Sequence, residues 1–289
     1  MAVSRKRRQG GLIVDAKGMA DEAQENIWVD RMTRIGYFTR GIIYGLIGLF
    51  ALQLVFGRGG KLTDQSGVLA SLAGQPFGKF MLVIMAIGLV GLFIWGLIRA
   101  VADPLKKGND LKGIVSRAGY LISGLSYGAL LIPTLNLIQG AGRQTAGSTQ
   151  NAQKATASLL AAPAGQLIVA LIGLALIGVG IFRIYSGYTA RLNERLKSYQ
   201  MTEAQRRLAI RLGRFGYGAI GVVFIILGAL AVYAATTLDP NKVGGFDKAL
   251  SFVVQQPYGP YLLFVVALGL LAFAIYSLMG SFWFKIKEL

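Results

Sequence analysis

The chain has 289 residues, 54% hydrophobic and only 15% charged, with a mean hydropathy of +0.55 and a formal net charge of +17. So apolar a composition points to a membrane and leaves no room for a large soluble catalytic domain. Cysteine and histidine are absent, which excludes disulfides, thiolate nucleophiles, iron–sulfur clusters, histidine-ligated haem or zinc, and histidine proton relays.

Residues 1–27 read as a cytosolic tail, basic at Ser4-Arg5-Lys6-Arg7-Arg8 and acidic from Asp15 onward. The apolar patch Leu12, Ile13, Val14 is too short for the core of a signal peptide. A short interfacial helix around Ile27 and Trp28 is one reading of its end, and disorder of the first part is the other. Apolar runs able to cross a bilayer then follow at Gly41 to Phe56, Phe80 to Ile98, Ala118 to Ile138, Leu167 to Phe182, Phe215 to Ala235 and Tyr261 to Trp283. The expected fold is therefore an all-α integral membrane protein with six transmembrane helices. Of the 30 Lys and Arg residues, 23 fall in the two termini and the loops on their side. Under the positive-inside rule this predicts a multi-pass protein with both termini cytoplasmic.

An internal repeat organises the spans. Arg34-Ile35-Gly36-Tyr37 recurs as Arg117-Ala118-Gly119-Tyr120 and as Arg214-Phe215-Gly216-Tyr217, followed at fixed distance by Gly41, Gly124 and Gly221, then Tyr44, Tyr127 and Phe224. In the second half of each copy, Pro76-Phe77-Gly78 answers to Pro163-Ala164-Gly165 and Pro257-Tyr258-Gly259, with Trp95, Phe182 and Tyr276 further on. The copies occupy residues 28–104, 105–190 and 191–289. Each holds two spans, so the repeats are parallel, and a three-fold pseudosymmetric bundle is the expected geometry. The unit resembles the bacterial domain-of-unknown-function family numbered 1206, over about residues 28 to 284. That resemblance implies six spans in a bacterial plasma membrane and carries no activity with it. Copy two departs at Ala162, where the others have Gln75 and Gln256.

On a helix, Tyr37, Gly41, Tyr44 and Gly48 share one stripe, repeated as Tyr120, Gly124, Tyr127 and as Tyr217, Gly221, Phe224, Gly228. Alternating small and aromatic residues predict a packing seam, with a ligand-lining path as the alternative. Arg34, Arg117 and Arg214 stand one turn before Tyr37, Tyr120 and Tyr217. Each pair is a candidate contact for an anionic lipid head, or else a positive-inside anchor. Short apolar stubs precede each proline (Val68, Leu69, Leu72; Ala155, Leu159, Leu160; Leu250, Val253, Val254) and suggest three surface helices roofing the bundle. Thr202-Glu203-Ala204-Gln205 predicts a capping box opening a basic helix through Arg206, Arg207 and Arg211. Pro133 predicts a kink beside Asn136 and Gln139, offering either a small polar site or an interhelical hydrogen bond.

No charged residue lies inside the six apolar cores as bounded above, which removes the intramembrane relay expected of pumps and ion-coupled carriers. The expected function is non-enzymatic interaction as an accessory subunit, assembly factor or lipid organiser. A passive channel or carrier for a small neutral solute or lipid is the rival. Anionic membrane lipids, with a membrane protein complex as the alternative, are the expected partners; no cofactor, metal or nucleic acid is expected.

Overall fold

The computed structural model describes residue 31 and residues 34–101, 108, 110–140, 148–189 and 201–283. The tail at 1–27 and the interfacial segment after it lie outside these residues. Among the described residues every regular element is helical: α1 (Arg34–Val55), α2 (Gln65–Ala73), α3 (Gly78–Val101), α4 (Leu111–Ile138), α5 (Ser148–Leu160), α6 (Gly165–Tyr188), α7 (Glu203–Thr237), a 3-10 turn (Pro240–Lys242), α8 (Phe246–Val254) and α9 (Gly259–Trp283). Six of them, α1, α3, α4, α6, α7 and α9, are long and apolar enough to cross a membrane. All six expected spans are thus present. Each is longer than its apolar core, because flanking residues, charged ones among them, continue the helical backbone beyond it.

The capping box forms: Gln205 N–H donates to Thr202 Oγ1 at 3.3 Å, and Thr202 N–H donates to Gln205 Oε1 at 2.9 Å. It does not open a separate basic helix. Nothing between Arg211 and Phe215 breaks the pattern, so α7 runs unbroken for 35 residues. At 1.5 Å per residue that is about 52 Å, well beyond a hydrocarbon core of about 30 Å, so its basic first turns stand outside the bilayer.

Helices pair across repeats as well as within them. The first helix of each repeat lies against the second helix of the preceding one, cyclically: α4 on α3, α7 on α6, and α1 on α9. At each contact the seam glycines remove the side chain that would hold the backbones apart. A Cβ on Gly124 would lie 3.1 Å from Gly96 Cα, one on Gly48 would lie 3.0 Å from the Ala267 carbonyl oxygen, and one on Gly221 would lie 2.7 Å from that of Gly180. Gly228 meets Gly173 about two turns further, and Gly41 meets Leu278 and Ala274. An added Cβ at these glycines would meet the facing helix, so they lie at close helix contacts.

The Pro-x-Gly motifs make one kind of corner three times. Gly78, Gly165 and Gly259 N–H donate to the carbonyls of Gln75, Ala162 and Gln256 at 2.9, 3.0 and 2.8 Å. Each turn has proline second and a left-handed residue third: Phe77 (φ 62), Ala164 (φ 61) and Tyr258 (φ 62), which is a type II turn with a non-glycine residue where glycine is usual. Only a backbone carbonyl is needed at the first position, which explains why Ala162 replaces glutamine without loss. The glycine has no such freedom, since its Cβ would fall on the carbonyl oxygen of Leu72, Leu159 or Val254 at the end of the preceding stub.

Two of the three stubs roof the bundle. Val68 and Leu69 of α2, and Phe246, Ala249 and Leu250 of α8, are fully buried against Ile47, Leu82 and Leu263. The third departs from expectation. In α5, Ala155 is exposed and Leu159 and Leu160 are only partly covered, because the helix is held at the rim by polar bonds. Thr149 Oγ1 donates to Asp247 at 2.6 Å and accepts from Gly245 N–H at 2.7 Å, and Gln153 Nε2 donates to the carbonyls of Asn241 and Val243 at 3.3 Å.

Gly165→Ala is expected to lower stability in detergent by about 1–3 kcal/mol through overpacking at the corner. Gly178→Ala, where a Cβ meets nothing within 4 Å, should leave the thermal midpoint unchanged; equal midpoints for the two variants would refute the close-approach account.

Candidate functional site

The motif arginines act first as caps. Arg34 Nη1 donates to the carbonyls of Ser281 and Phe282, both at 2.8 Å, at the end of α9. Arg117 Nε and Nη2 donate to those of Ala100 and Val101 at 2.8 and 3.1 Å, at the end of α3. The last carbonyls of a helix have no intrahelical donor and carry the negative end of its dipole, so a guanidinium there both satisfies and neutralises them. In each case the capped helix belongs to the preceding repeat in the ring. Arg214 starts from the matching place, with its backbone beside Gly187 near the end of α6, and is exposed. The lipid contact expected at these arginines thus competes with capping at two of its three positions.

Beyond the arginines, Tyr37, Tyr120 and Tyr217 turn inward and, with Tyr127, line a cavity of about 230 Å³ between the helices at the arginine-bearing end. The same wall carries Trp95, Ser123 and three further cations: Arg40 from α1, Arg99 from α3 and Arg183 from α6. Among the described residues nothing acidic lines it. The cations are instead held by aromatic faces, which attract charge through the ring quadrupole without neutralising it. Arg40 lies 4.6 Å from the centre of the Phe273 ring and 5.8 Å from Tyr44, Arg99 lies 4.6 Å from Trp95 and 5.3 Å from Tyr120, and Arg183 lies 6.0 Å from Tyr217. The indole N–H of Trp95 is buried without a hydrogen-bond partner, leaving one more donor on the cavity wall.

These cations revise the reading that the spans are free of charge. Composition places Arg40 one residue before the first apolar core and Arg183 one residue after the fourth, yet the helices extend past both. Arg40 stands six residues inside α1, about 9 Å along the axis from Arg34. A signal for it existed in the sequence: Tyr37, Arg40 and Tyr44 share a face at i, i+3 and i+7. Comparison of the copies hides it, since Arg40 answers to Ser123 and Ile220, Arg99 to Ser186 and Gly280, and Arg183 to Gly96 and Ser277.

Toward the stub end the axis is filled. Tyr44 packs edge-to-face on Phe246 and Phe273 at 5.5 and 5.1 Å, Phe224 meets Phe246 at 6.0 Å, and Tyr217 meets Phe273 and Tyr276 at 5.3 and 5.7 Å. Stripe aromatics therefore divide their roles: Tyr44 and Phe224 plug the axis, Tyr37, Tyr120 and Tyr127 line the cavity, and Tyr217 does both. Pro133 sits inside a continuous α4, Asn136 is half-buried, Gln139 is an exposed C-cap, and none of them lines the cavity.

Replacing Arg117 with Gln should cost about 1.5–3 kcal/mol of detergent stability, the scale of hydrogen bonds to a charged group. Arg117→Lys should recover part of it, because an ammonium can still meet a helix end but not fork across two carbonyls. A thermal scan in which Gln and wild type coincide would remove the capping role.

A protein from Bacillus subtilis (strain 168), printed as "Uncharacterized protein YxxB", is 32% identical to this chain over 256 residues, which cover 89% of the chain and 91% of the relative. No solved structure matches. The model of the Domain of Unknown Function family DUF1206 matches three times, at residues 35–103, 118–190 and 215–283, each match spanning one Arg-x-Gly-Tyr helix and one Pro-x-Gly helix. With three matches that cover most of its length, the chain belongs to the DUF1206 family.

Proposed function

We propose that this multi-pass membrane protein is a non-enzymatic lipid-interacting protein, and that its central cavity holds the anionic head of a membrane lipid. The observation that carries the reading is the cavity's charge: Arg40 and Arg183 converge on one space, and among the described residues no carboxylate lines it. A guanidinium inside a transmembrane helix costs about 2.5–3.5 kcal/mol unless something pairs with it. Cation–π contacts return only part of that, about 0.5–2 kcal/mol each. A phosphate between the Arg40 and Arg183 guanidiniums would offset the remainder and could take a two-point fork from each. The aromatic plug argues against the rival reading of an open conduit along the axis, and the absence of cysteine and histidine from the chain argues against an enzyme.

The orientation that goes with this reading puts the cavity in the cytoplasmic half, by the positive-inside bias of the loops. Because the chain has no native cysteine, single cysteines can test it. One replacing Gly59 or Asn241 should react with a membrane-impermeant maleimide on intact cells, and one replacing Arg195 should not; the opposite pattern would invert the protein.

The binding reading is tested by native mass spectrometry of protein purified in mild detergent. Wild type should retain anionic phospholipid, and Arg40→Gln with Arg183→Gln should lower occupancy by about ten- to a hundredfold, the effect of losing one charged hydrogen bond or more. Equal occupancy at equal thermal stability would leave the cavity without its assigned ligand.

A further inference from the structure

Among the described residues, glycine contacts close most of the helix-to-helix walls around the cavity. Across the ring, the three inter-repeat seams bring α3 to α4, α6 to α7 and α9 to α1 at glycine contacts. Within the first and third repeats, the glycine of the Arg-x-Gly-Tyr motif closes the remaining walls. A Cβ on Gly36 would strike Leu92 of α3, and one on Gly216 would lie 2.6 Å from Phe273 Cα of α9. The equivalent Gly119 of α4 ought to meet α6. A Cβ there meets nothing within 4 Å, and among the described residues α4 and α6 are not one of the closely packed helix pairs. The middle repeat is therefore parted where the other two are closed.

This gap opens onto the cations. Tyr120, Ser123 and Tyr127 of α4 and Arg183 of α6 all line the cavity, and Gly119 and Ser123 are themselves exposed. The outer surfaces of the two helices are apolar: Leu121, Ile122 and Leu125 on α4, and Leu171, Leu174 and Ile181 on α6, are each between 39% and 65% exposed. Surfaces of that kind in a spanning helix are met by acyl chains. The cavity is also too small for a whole lipid. At about 230 Å³ it falls below the roughly 300–1,000 Å³ of sites that engulf drug-sized ligands, so it takes a head group and leaves the chains outside.

Resting on the cavity reading above, we infer that the parting between α4 and α6 is a lateral portal, through which a two-chain anionic phospholipid enters from the bilayer, seating its phosphate between Arg40 and Arg183 while its chains remain against the apolar flanks. A water-soluble phosphate would satisfy the same cations without needing that gap, and this difference separates the two sources.

The test uses the full chain in nanodiscs of phosphatidylcholine with phosphatidylglycerol, comparing wild type with Gly119→Trp, which fills the gap, and with Gly218→Trp as control. Gly218 likewise has nothing within 4 Å of an added Cβ, but it lies on α7, away from the parting. Thermal midpoints of the three proteins should agree. Phosphatidylglycerol occupancy after extraction should fall by about tenfold in Gly119→Trp, the equivalent of one good contact, and stay at the wild-type level in Gly218→Trp. Binding of glycerol 3-phosphate to lipid-stripped protein, read by calorimetry, should persist in all three. Undiminished phosphatidylglycerol in Gly119→Trp would overturn the portal while leaving the cavity reading standing. Binding of neither phosphatidylglycerol nor glycerol 3-phosphate to wild type would overturn the cavity reading, and the portal with it.

Discussion

Close approach of helix backbones at glycine is the constraint from which the rest of this structure follows. In a bilayer, lipid tails are as apolar as leucine, so helices gain nothing by hiding apolar faces from their surroundings; they gain by packing more closely on each other than lipid can pack on them. Gly41, Gly124 and Gly221, with Gly48 and Gly228, supply that closeness at three inter-repeat seams. Once the first helix of each repeat is committed to the preceding repeat, the chain must close into a ring, and the arginine at each helix start arrives beside the end of its neighbour. Capping by Arg34 and Arg117 is thus a consequence of the seam as well as a reinforcement of it.

The ring also creates the problem that the aromatic residues solve. Six helices around a pseudo-three-fold axis leave a central space, and the two ends fill it differently. At the stub end Phe246 descends from α8 between Tyr44 and Phe224, and the buried faces of α2 and α8 complete the plug. At the other end tyrosines stand around the axis without filling it, and Arg40, Arg99 and Arg183 enter the space that remains. Aromatic rings suit both tasks, because an edge packs against a neighbouring face and a face accepts a cation. A single stripe of residues therefore serves as core near one membrane surface and as a cation-holding wall near the other.

Departures from symmetry are where chemistry concentrates. Positions that carry arginine in one copy carry serine, glycine or isoleucine in the others, so the three cations are drawn one each from α1, α3 and α6 rather than from equivalent sites. The middle repeat adds a second departure, as α4 and α6 stand apart while Gly36 and Gly216 close the corresponding walls elsewhere. Structural roles are carried by what the copies share, namely the seam glycines, the Pro-x-Gly corners and the capping arginines.

Six spans, three parallel repeats, the seam glycines and the capping box at Thr202 were legible in the amino-acid sequence, because each rests on local periodicity or on a motif whose physics is confined to one or two helical turns. Hydropathy did not reveal the depth of Arg40 and Arg183, since an apolar run ends at a charge by definition, whereas a helix ends only when its backbone hydrogen bonds do. Which way the repeats pair, which end of the axis is packed, that α5 stays at the rim, and that Gly119 faces open space were decided by tertiary structure alone. Each depends on the distance between residues far apart in the chain, and identical glycines at 36, 119 and 216 can close a wall or leave it open according to where the opposing helix lies.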